Sequence, residues 1–282
     1  MIPFIDFGGQ GPELHFAHAN AYPPRAYTPL IETLTPRYHV TAMLARPLWP
    51  EARPEELPDW WALVDDEIRF FEERGQTGVI GVGHSLGSMT TLAAALRRPE
   101  LFRAVVLIDP VLFNRRLLSV YLQAQKWGLA RRVHPLVPAA LRRRVVFAGA
   151  EAMFANYRHK AVFRRMDDRA LRAYVDSVAR LRPDGQVELL YSPEWEVKVY
   201  ETGPFSLWDQ LSALRPPLLI VRGARTDTLW LGTARRVLRY LPQAAIYTVD
   251  DATHLVPLEK PVEVGEVIKS FLEKVAASET EN

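Results

Sequence analysis

The pentapeptide Gly83-His84-Ser85-Leu86-Gly87 holds the residue best placed for covalent chemistry in this chain of 282 residues. A serine hydroxyl is a weak nucleophile until a base removes its proton and a third group orients that base. A G-x-S-x-G pattern is short, so its surroundings decide its meaning. Val79–Val82 is an apolar run of strand length, and Leu86–Arg98 is an alanine-rich helical stretch stopped by Pro99. A strand, a sharp turn and a helix present Ser85 on an elbow, with glycines where side chains would clash. That context favours the elbow over a plain strand-to-helix loop in which Ser85 only caps the helix.

The other members of such a site belong on loops after later strands. His254, in Asp250-Asp-Ala-Thr-His-Leu-Val-Pro, stands between the last predicted strand and the final helix, where a general base can reach back over a sheet. Two carboxylates compete to orient it. Asp227 lies just past the buried run Leu218–Val221, keeps the chain order serine, aspartate, histidine, and is preferred. Asp109 ends the run that includes Val105–Ile108 and is the alternative acid, otherwise a tether for the segment after it. Asp250 and Asp251 sit too near His254 in sequence to orient it easily. An oxyanion needs two backbone N–H groups. Leu86, directly after the serine, and Asn20, in His18-Ala-Asn-Ala-Tyr-Pro, are the candidates. His18 is read as shaping that loop.

Elements to position these groups are visible as an alternation of strand-like and helix-like stretches. Ile2–Phe7 and Glu13–Ala17 read as a hairpin around Gly8-Gly-Gln-Gly-Pro12, and Tyr38–Leu44 as the next strand. Asp59 is a cap for a helix over Trp60–Arg74 that ends at Gly75. Ala104–Ile108 and Leu218–Val221 lack polar alternation, as central parallel strands do. Ala245–Val249 is the last strand, and Pro261–Ala276 a terminal helix before a polar, frayed tail. Between Pro110 and about Leu211 the alternation stops. Arg115–Trp127, Pro138–Phe147, Glu151–Met166 and Asp168–Arg180 read as helices of an insertion over one edge of the sheet. The expected organisation is a core domain of 1–110 and 212–282, with a helical cap at 111–211.

Composition narrows the chemistry. No cysteine is present, which excludes disulfides, thiolate metal sites and cysteine nucleophiles. Lys and Arg number 35 against 33 Asp and Glu, a balance that argues against a dedicated nucleic-acid partner. A mean hydropathy of −0.09 and the lack of a long apolar run argue against a transmembrane segment. The amino terminus has neither the basic start nor the apolar core of a signal peptide, which predicts a cytoplasmic protein. Charge is uneven locally: residues 111–150 hold eight Arg or Lys and no Asp or Glu. A basic surface meeting anionic lipid, or guiding an acidic substrate, competes there with a solvated face paired to acids elsewhere, and the second is preferred. Phe113, Tyr121, Trp127, Phe147, Phe154, Tyr157 and Phe163 would mostly pack this segment onto the core. Some should line a pocket, which favours a hydrophobic small molecule over a highly charged one.

Taken together, the residues resemble the α/β-hydrolase superfamily, in its branch with a helical cap. The resemblance rests on Gly8-Gly-Gln-Gly-Pro-Glu-Leu-His-Phe-Ala-His18, the Ser85 elbow, Arg222-Gly-Ala-Arg-Thr-Asp227, and His254 with Glu259-Lys-Pro261. Two departures are Ala19, where many members have glycine, and Ser88, where a second glycine often follows the elbow. The resemblance implies an α/β fold with a mostly parallel, eight-stranded type of sheet, helices on both faces and the cap after strand six. Here the outermost strand would be short or missing. It also implies hydrolysis of a carboxylic ester of a hydrophobic small molecule through an acyl-enzyme on Ser85, with no cofactor and no metal. A lactone or carbon–carbon bond hydrolase with the same triad is the alternative. From another class, a catalytically silent protein binding a small ligand or a partner is possible, although an intact triad argues against it. The sequence leaves the oligomeric state open.

Overall fold

The computed structural model describes residues 1–280. Ten strands follow in chain order: β1 Phe4–Gly8, β2 Glu13–Ala17, β3 His39–Met43, β4 Val79–His84, β5 Phe102–Ile108, β6 Val146–Phe147, β7 Ala179–Leu181, β8 Val187–Leu189, β9 Leu218–Gly223 and β10 Ala245–Val249. The helices before β6 are α1 Thr28–Leu34, α2 Trp61–Glu73, α3 Leu86–Arg97, α4 Arg115–Lys126, α5 Ala130–Val133 and α6 Val137–Leu141. Those after it are α7 Ala150–Arg158, α8 Asp168–Val178, α9 Pro193–Thr202, α10 Leu231–Val237, α11 Val256–Glu259 and α12 Pro261–Thr280.

Seven strands form the main sheet in the order β1-β3-β2-β4-β5-β9-β10, parallel except for β1. Strand periodicity explains the two layers of helices. Ile80, Val82, Ala104, Val106, Leu219 and Val221 point to the face covered by α1 and α12. Val105, Leu107, Leu218 and Ile220 point to the opposite face, under α2, α3 and α10. Because both faces are covered, these strands read as continuous apolar runs. β2 lies beside β4, with Ala17 opposite Gly83, so the loop after β2 and the turn after β4 emerge side by side. The chain order reverses at this point of the sheet, which is where parallel sheets open a crevice at their carboxyl ends.

The first two strands do not form the expected hairpin. β1 pairs antiparallel with β3, and β3 lies between β1 and β2. The glycine turn packs against the entry to β3: a Cβ on Gly9 would lie 2.0 Å from Tyr38 O. His39 then bridges both neighbours, with Nδ1 2.8 Å from Glu13 Oε1 and Nε2 3.0 Å from Asp6 Oδ1. Those carboxylate contacts, Glu13 first, raise its pKa.

The segment between β5 and β9 is not purely helical. β6, β8 and β7 make a small antiparallel sheet. Its tight turn is Pro183-Asp184-Gly185, where Gly185 takes φ +80° and Arg182 N–H donates to Gln186 O. The helix expected to reach Arg180 therefore stops at Val178. The one expected to reach Phe147 stops at Leu141, and the one expected to reach Met166 stops at Arg158. At the other end, α12 continues past Ala276 to Thr280, where Arg103 pairs with Glu279. Among the described residues no helix is long and apolar enough to cross a membrane.

Candidate active site

Ser85 sits at the junction of β4 and α3 with φ +55° and ψ −112°, a backbone conformation an L-residue adopts only under constraint. The constraint comes from the two glycines. A Cβ on Gly83 would fall 2.4 Å from Gly87 C, and one on Gly87 would fall 2.0 Å from Ala17 O. No side chain fits at either position, so the turn closes tightly and α3 starts against the end of β2. Ser88, the residue that departs from a second glycine, is buried and directs its hydroxyl between Gly83 O at 2.6 Å and Ile108 O at 3.0 Å. It stitches the elbow to β5.

The Ser85 Oγ lies 2.9 Å from His254 Nε2, and His254 Nδ1 lies 2.9 Å from Asp109 Oδ1. Asp109, not the preferred Asp227, is therefore the carboxylate on the histidine. Asp109 is fully buried, and its oxygens also accept from Gly223 N–H at 2.9 Å and from the Thr226 hydroxyl at 2.6 Å. Asp227 is exposed on the cavity wall, with the Thr228 hydroxyl 3.3 Å from its Oδ1. The reason lies in the loop after β9. Buried Arg222 donates Nε–H to Leu229 O, and this curls the loop so that Thr226 faces inward and Asp227 outward. A signal for Asp109 was present in the sequence. It directly follows the strand run ending at Ile108, whose carbonyl accepts from Ser85 N–H at 3.0 Å.

His254 is held from two sides. Thr253 donates both its N–H, at 2.7 Å, and its hydroxyl, at 2.6 Å, to the carboxylate of Glu259, which is buried at the end of α11. On the other side the ring of His84 lies 2.9 Å from His254 O through Nε2. A carbonyl only accepts, so His84 carries its proton on Nε2, and its Nδ1 accepts from Tyr27 O–H at 2.7 Å. Tyr27 Oη in turn accepts from Ala19 N–H at 3.2 Å. Burial first, then the neighbouring His254, holds the His84 pKa well below 6.5, so the ring is neutral. A chain of hydrogen bonds thus runs from the loop after β2, beneath the serine, to the histidine loop.

Leu86 N–H is the first amide of α3 and has no acceptor within its own helix. Asn20 faces the same cavity, and its side chain is clamped: Tyr191 O–H donates to Oδ1 at 2.7 Å, and Nδ2 donates to Glu196 O at 3.1 Å. Ala21 beside it takes φ +61°. His18 works as a loop residue, with Nε2 accepting from Ala45 N–H at 3.1 Å and Nδ1 donating to Ala19 O at 2.9 Å. Burial lowers its pKa to about 4, which keeps it neutral.

A cavity of about 740 Å³ opens over Ser85, between the strand ends and the segment inserted between β5 and β9. Trp60, Leu86, Val111, Phe113, Leu136 and Val199 give it an apolar wall. Arg143, Lys160, Tyr157, Tyr174, Glu196 and Tyr200 give it a polar one. The basic segment 111–150 is partly balanced, since Arg115, Arg131 and Arg143 pair with Asp209, Glu201 and Glu196. The arrangement can activate a serine and store a proton on an oriented imidazole, with the free Leu86 amide directly beside the serine.

Comparison with known proteins bears on the family and the fold. Residues 16–267 match the sequence model of the Alpha/beta hydrolase family. The uncharacterized hydrolase YugF of Bacillus subtilis (strain 168) is 26% identical over 201 residues, covering 68% of this chain and 64% of that protein. The 2-(acetamidomethylene)succinate hydrolase of Mesorhizobium japonicum is 31% identical over 101 residues, or 36% of each chain. The chain thus matches less than two-thirds of the length of either relative. The crystal structure of E-2-(acetamidomethylene)succinate hydrolase superposes with a TM-score of 0.78 at 22% identity, over 96% of this chain and 94% of that one. The enol-lactonase from Burkholderia xenovorans LB400 gives 0.67 at 15% identity, over 96% of both chains. At such identities the structural likeness speaks for the fold alone.

Proposed function

Because the chain belongs to the alpha/beta hydrolase family, we propose that it is a hydrolase that cleaves a carboxylic ester through an acyl-enzyme on Ser85. The observation that carries this reading is the unbroken line from Ser85 Oγ through His254 to Asp109 at 2.9 Å per step. His254 Nε2 takes the Ser85 proton as Oγ bonds to the ester carbon, and the carbonyl oxygen becomes an oxyanion facing the Leu86 and Asn20 amides. Asp109 holds the tautomer with hydrogen on Nδ1 and stabilises the imidazolium that forms. Collapse of the tetrahedral adduct breaks the carbon–oxygen bond, and the departing alkoxide receives the proton stored on His254. Water then gives a proton to the same nitrogen, attacks the acyl carbon and releases the acid, restoring Ser85.

The segment 111–211 acts in this reading as the cap that roofs the cavity. Its apolar wall supports an ester whose acyl or alcohol part is largely hydrocarbon. A lactone is an internal ester and would follow the same steps with its alkoxide still attached. The enol-lactonase neighbour gives that substrate form a place in the test. The experiment is turnover of 4-nitrophenyl esters of two to ten carbons beside a lactone panel. Wild type is expected to hydrolyse the short and medium esters, and Ser85→Ala and His254→Ala to lose at least about 10³-fold in kcat. Equal rates in wild type and Ser85→Ala would overturn the reading.

A further inference from the structure

The polar wall of the cavity is charge-unbalanced. Arg143 and Glu196 make a 2.5 Å ion pair with both side chains largely buried. The same guanidinium donates to Tyr174 Oη at 2.9 Å. Burial opposes the Arg143 charge, but Tyr174 and Glu196 outweigh it and shift its pKa upward. Lys160 lies beside this pair, with its ammonium 4.7 Å from the centre of the Tyr157 ring. Among the described residues it has no carboxylate within ion-pair distance. On this stretch of the wall Arg143 and Lys160 therefore share one carboxylate, whereas Arg165 and Arg225, which line the cavity elsewhere, pair with Asp251.

An unbalanced positive charge away from bulk water is costly unless something negative completes it. We propose that Arg143 and Lys160 form a subsite for a carboxylate carried by the substrate, remote from the bond that is cut. This rests on the serine-hydrolase reading above and adds the class of ester: apolar near Ser85, with one anionic end. A single surplus charge matches a monoanion, and the hydroxyl and guanidinium donors suit carboxylate oxygens. Burial, then the Arg143 charge, lowers the Lys160 pKa, so a bound anion would be drawn to a cation that gains from being neutralised. The subsite also touches the oxyanion loop, because the Glu196 that pairs with Arg143 accepts the Asn20 amide on its backbone carbonyl.

The test compares esters matched in length. 4-Nitrophenyl hydrogen adipate against 4-nitrophenyl hexanoate places the charge on the acyl side, and hexanoate esters of 4-hydroxyphenylacetic acid and of 4-cresol place it on the alcohol side. In at least one pair the carboxylate is expected to raise kcat/KM tenfold or more, chiefly through KM, with the advantage shrinking in high salt. Lys160→Met should collapse that ratio towards one. Glu196→Gln, which keeps the shape but removes the competing carboxylate, should increase it. Arg143→Ala is a poor probe, since it would leave Glu196 buried without its partner. As a readout independent of turnover, adipate should slow fluorophosphonate labelling of Ser85 in wild type and not in Lys160→Met. Turnover of neutral esters with no carboxylate preference in either pair overturns the subsite and leaves the hydrolase reading standing. Absence of turnover and of Ser85 labelling overturns both.

Discussion

His254 Nδ1 and Asp109 Oδ1 are 2.9 Å apart although 145 residues separate them in sequence. Their meeting depends on β5 lying between β4 and β9, so that the residue after β5 emerges beside the serine and under the histidine loop. Asp109→Asn should therefore lower kcat on an aryl ester by about 10³ to 10⁴, because the amide holds the wrong imidazole tautomer. Asp227→Asn should stay within a few-fold of wild type. Steady-state kinetics of the two variants decide it, and a larger loss in Asp227→Asn would refute the geometry.

The chain from Ala19 N–H through Tyr27 and His84 to His254 O predicts a positioning effect. Tyr27→Phe leaves one donor and one acceptor without their partner, at a cost of about 1–3 kcal/mol in stability. It should also lower kcat about tenfold while KM moves little, because the histidine loop and not the substrate wall is loosened. A change confined to KM would show that the chain does not position His254.

Acid stability follows from buried titratable groups. Burial lowers the pKa of His15 to about 3 and that of His18 to about 4, and holds that of His84 well below 6.5. Once unfolded, each titrates near 6.5, so the unfolded chain binds more protons over that range. Stability from these groups is complete above pH 6.5 and is lost as pH falls towards 4, by about 1.4 kcal/mol per pH unit for each. Glu67 acts in the opposite sense. Burial raises its pKa from 4.5 to about 7, and its Oε2 has no hydrogen-bond partner among the described residues. The folded form keeps a proton there that the unfolded form releases, so this contribution falls as pH rises from 4.5 to 7. Urea midpoints should drop from pH 6.5 to 4.5. Glu67→Gln should gain more over wild type at pH 8 than at pH 4.5, and equal gains at both would contradict the assignment.

Glycine substitutions separate constraint from convenience. Gly87→Ala places a Cβ 2.0 Å from Ala17 O and should abolish both fold stability and activity. Gly232→Ala, in α10 with open space around it, should be neutral or stabilise by about 0.5–1 kcal/mol. Thermal melts of the two variants check the contrast.

Local and contiguous features were legible in the sequence. The Ser85 elbow and the His254 loop each sit at a strand end that their own neighbours announce. Asp109 was visible only as one of two acids, because the choice depends on how Arg222 curls the loop after β9. The sequence suggests a β1–β2 hairpin, whereas β1 pairs with β3 because the glycine turn packs on Tyr38. The small sheet of β6, β7 and β8 is not legible in the sequence, because strands of two or three residues carry too little periodicity. The Arg143–Glu196 pair joins residues 53 apart, on α9 and the loop after α6, and no local pattern marks it.

The proposed chemistry turns on Ser85 being the nucleophile. The direct measurement is intact-mass and peptide mapping after brief treatment with a fluorophosphonate at pH 8. One adduct per chain, on Ser85, is expected in wild type, with none in Ser85→Ala and a rate at least about 10²-fold slower in His254→Ala. A wild-type protein that stays unmodified, or one modified elsewhere while Ser85 remains free, would contradict it.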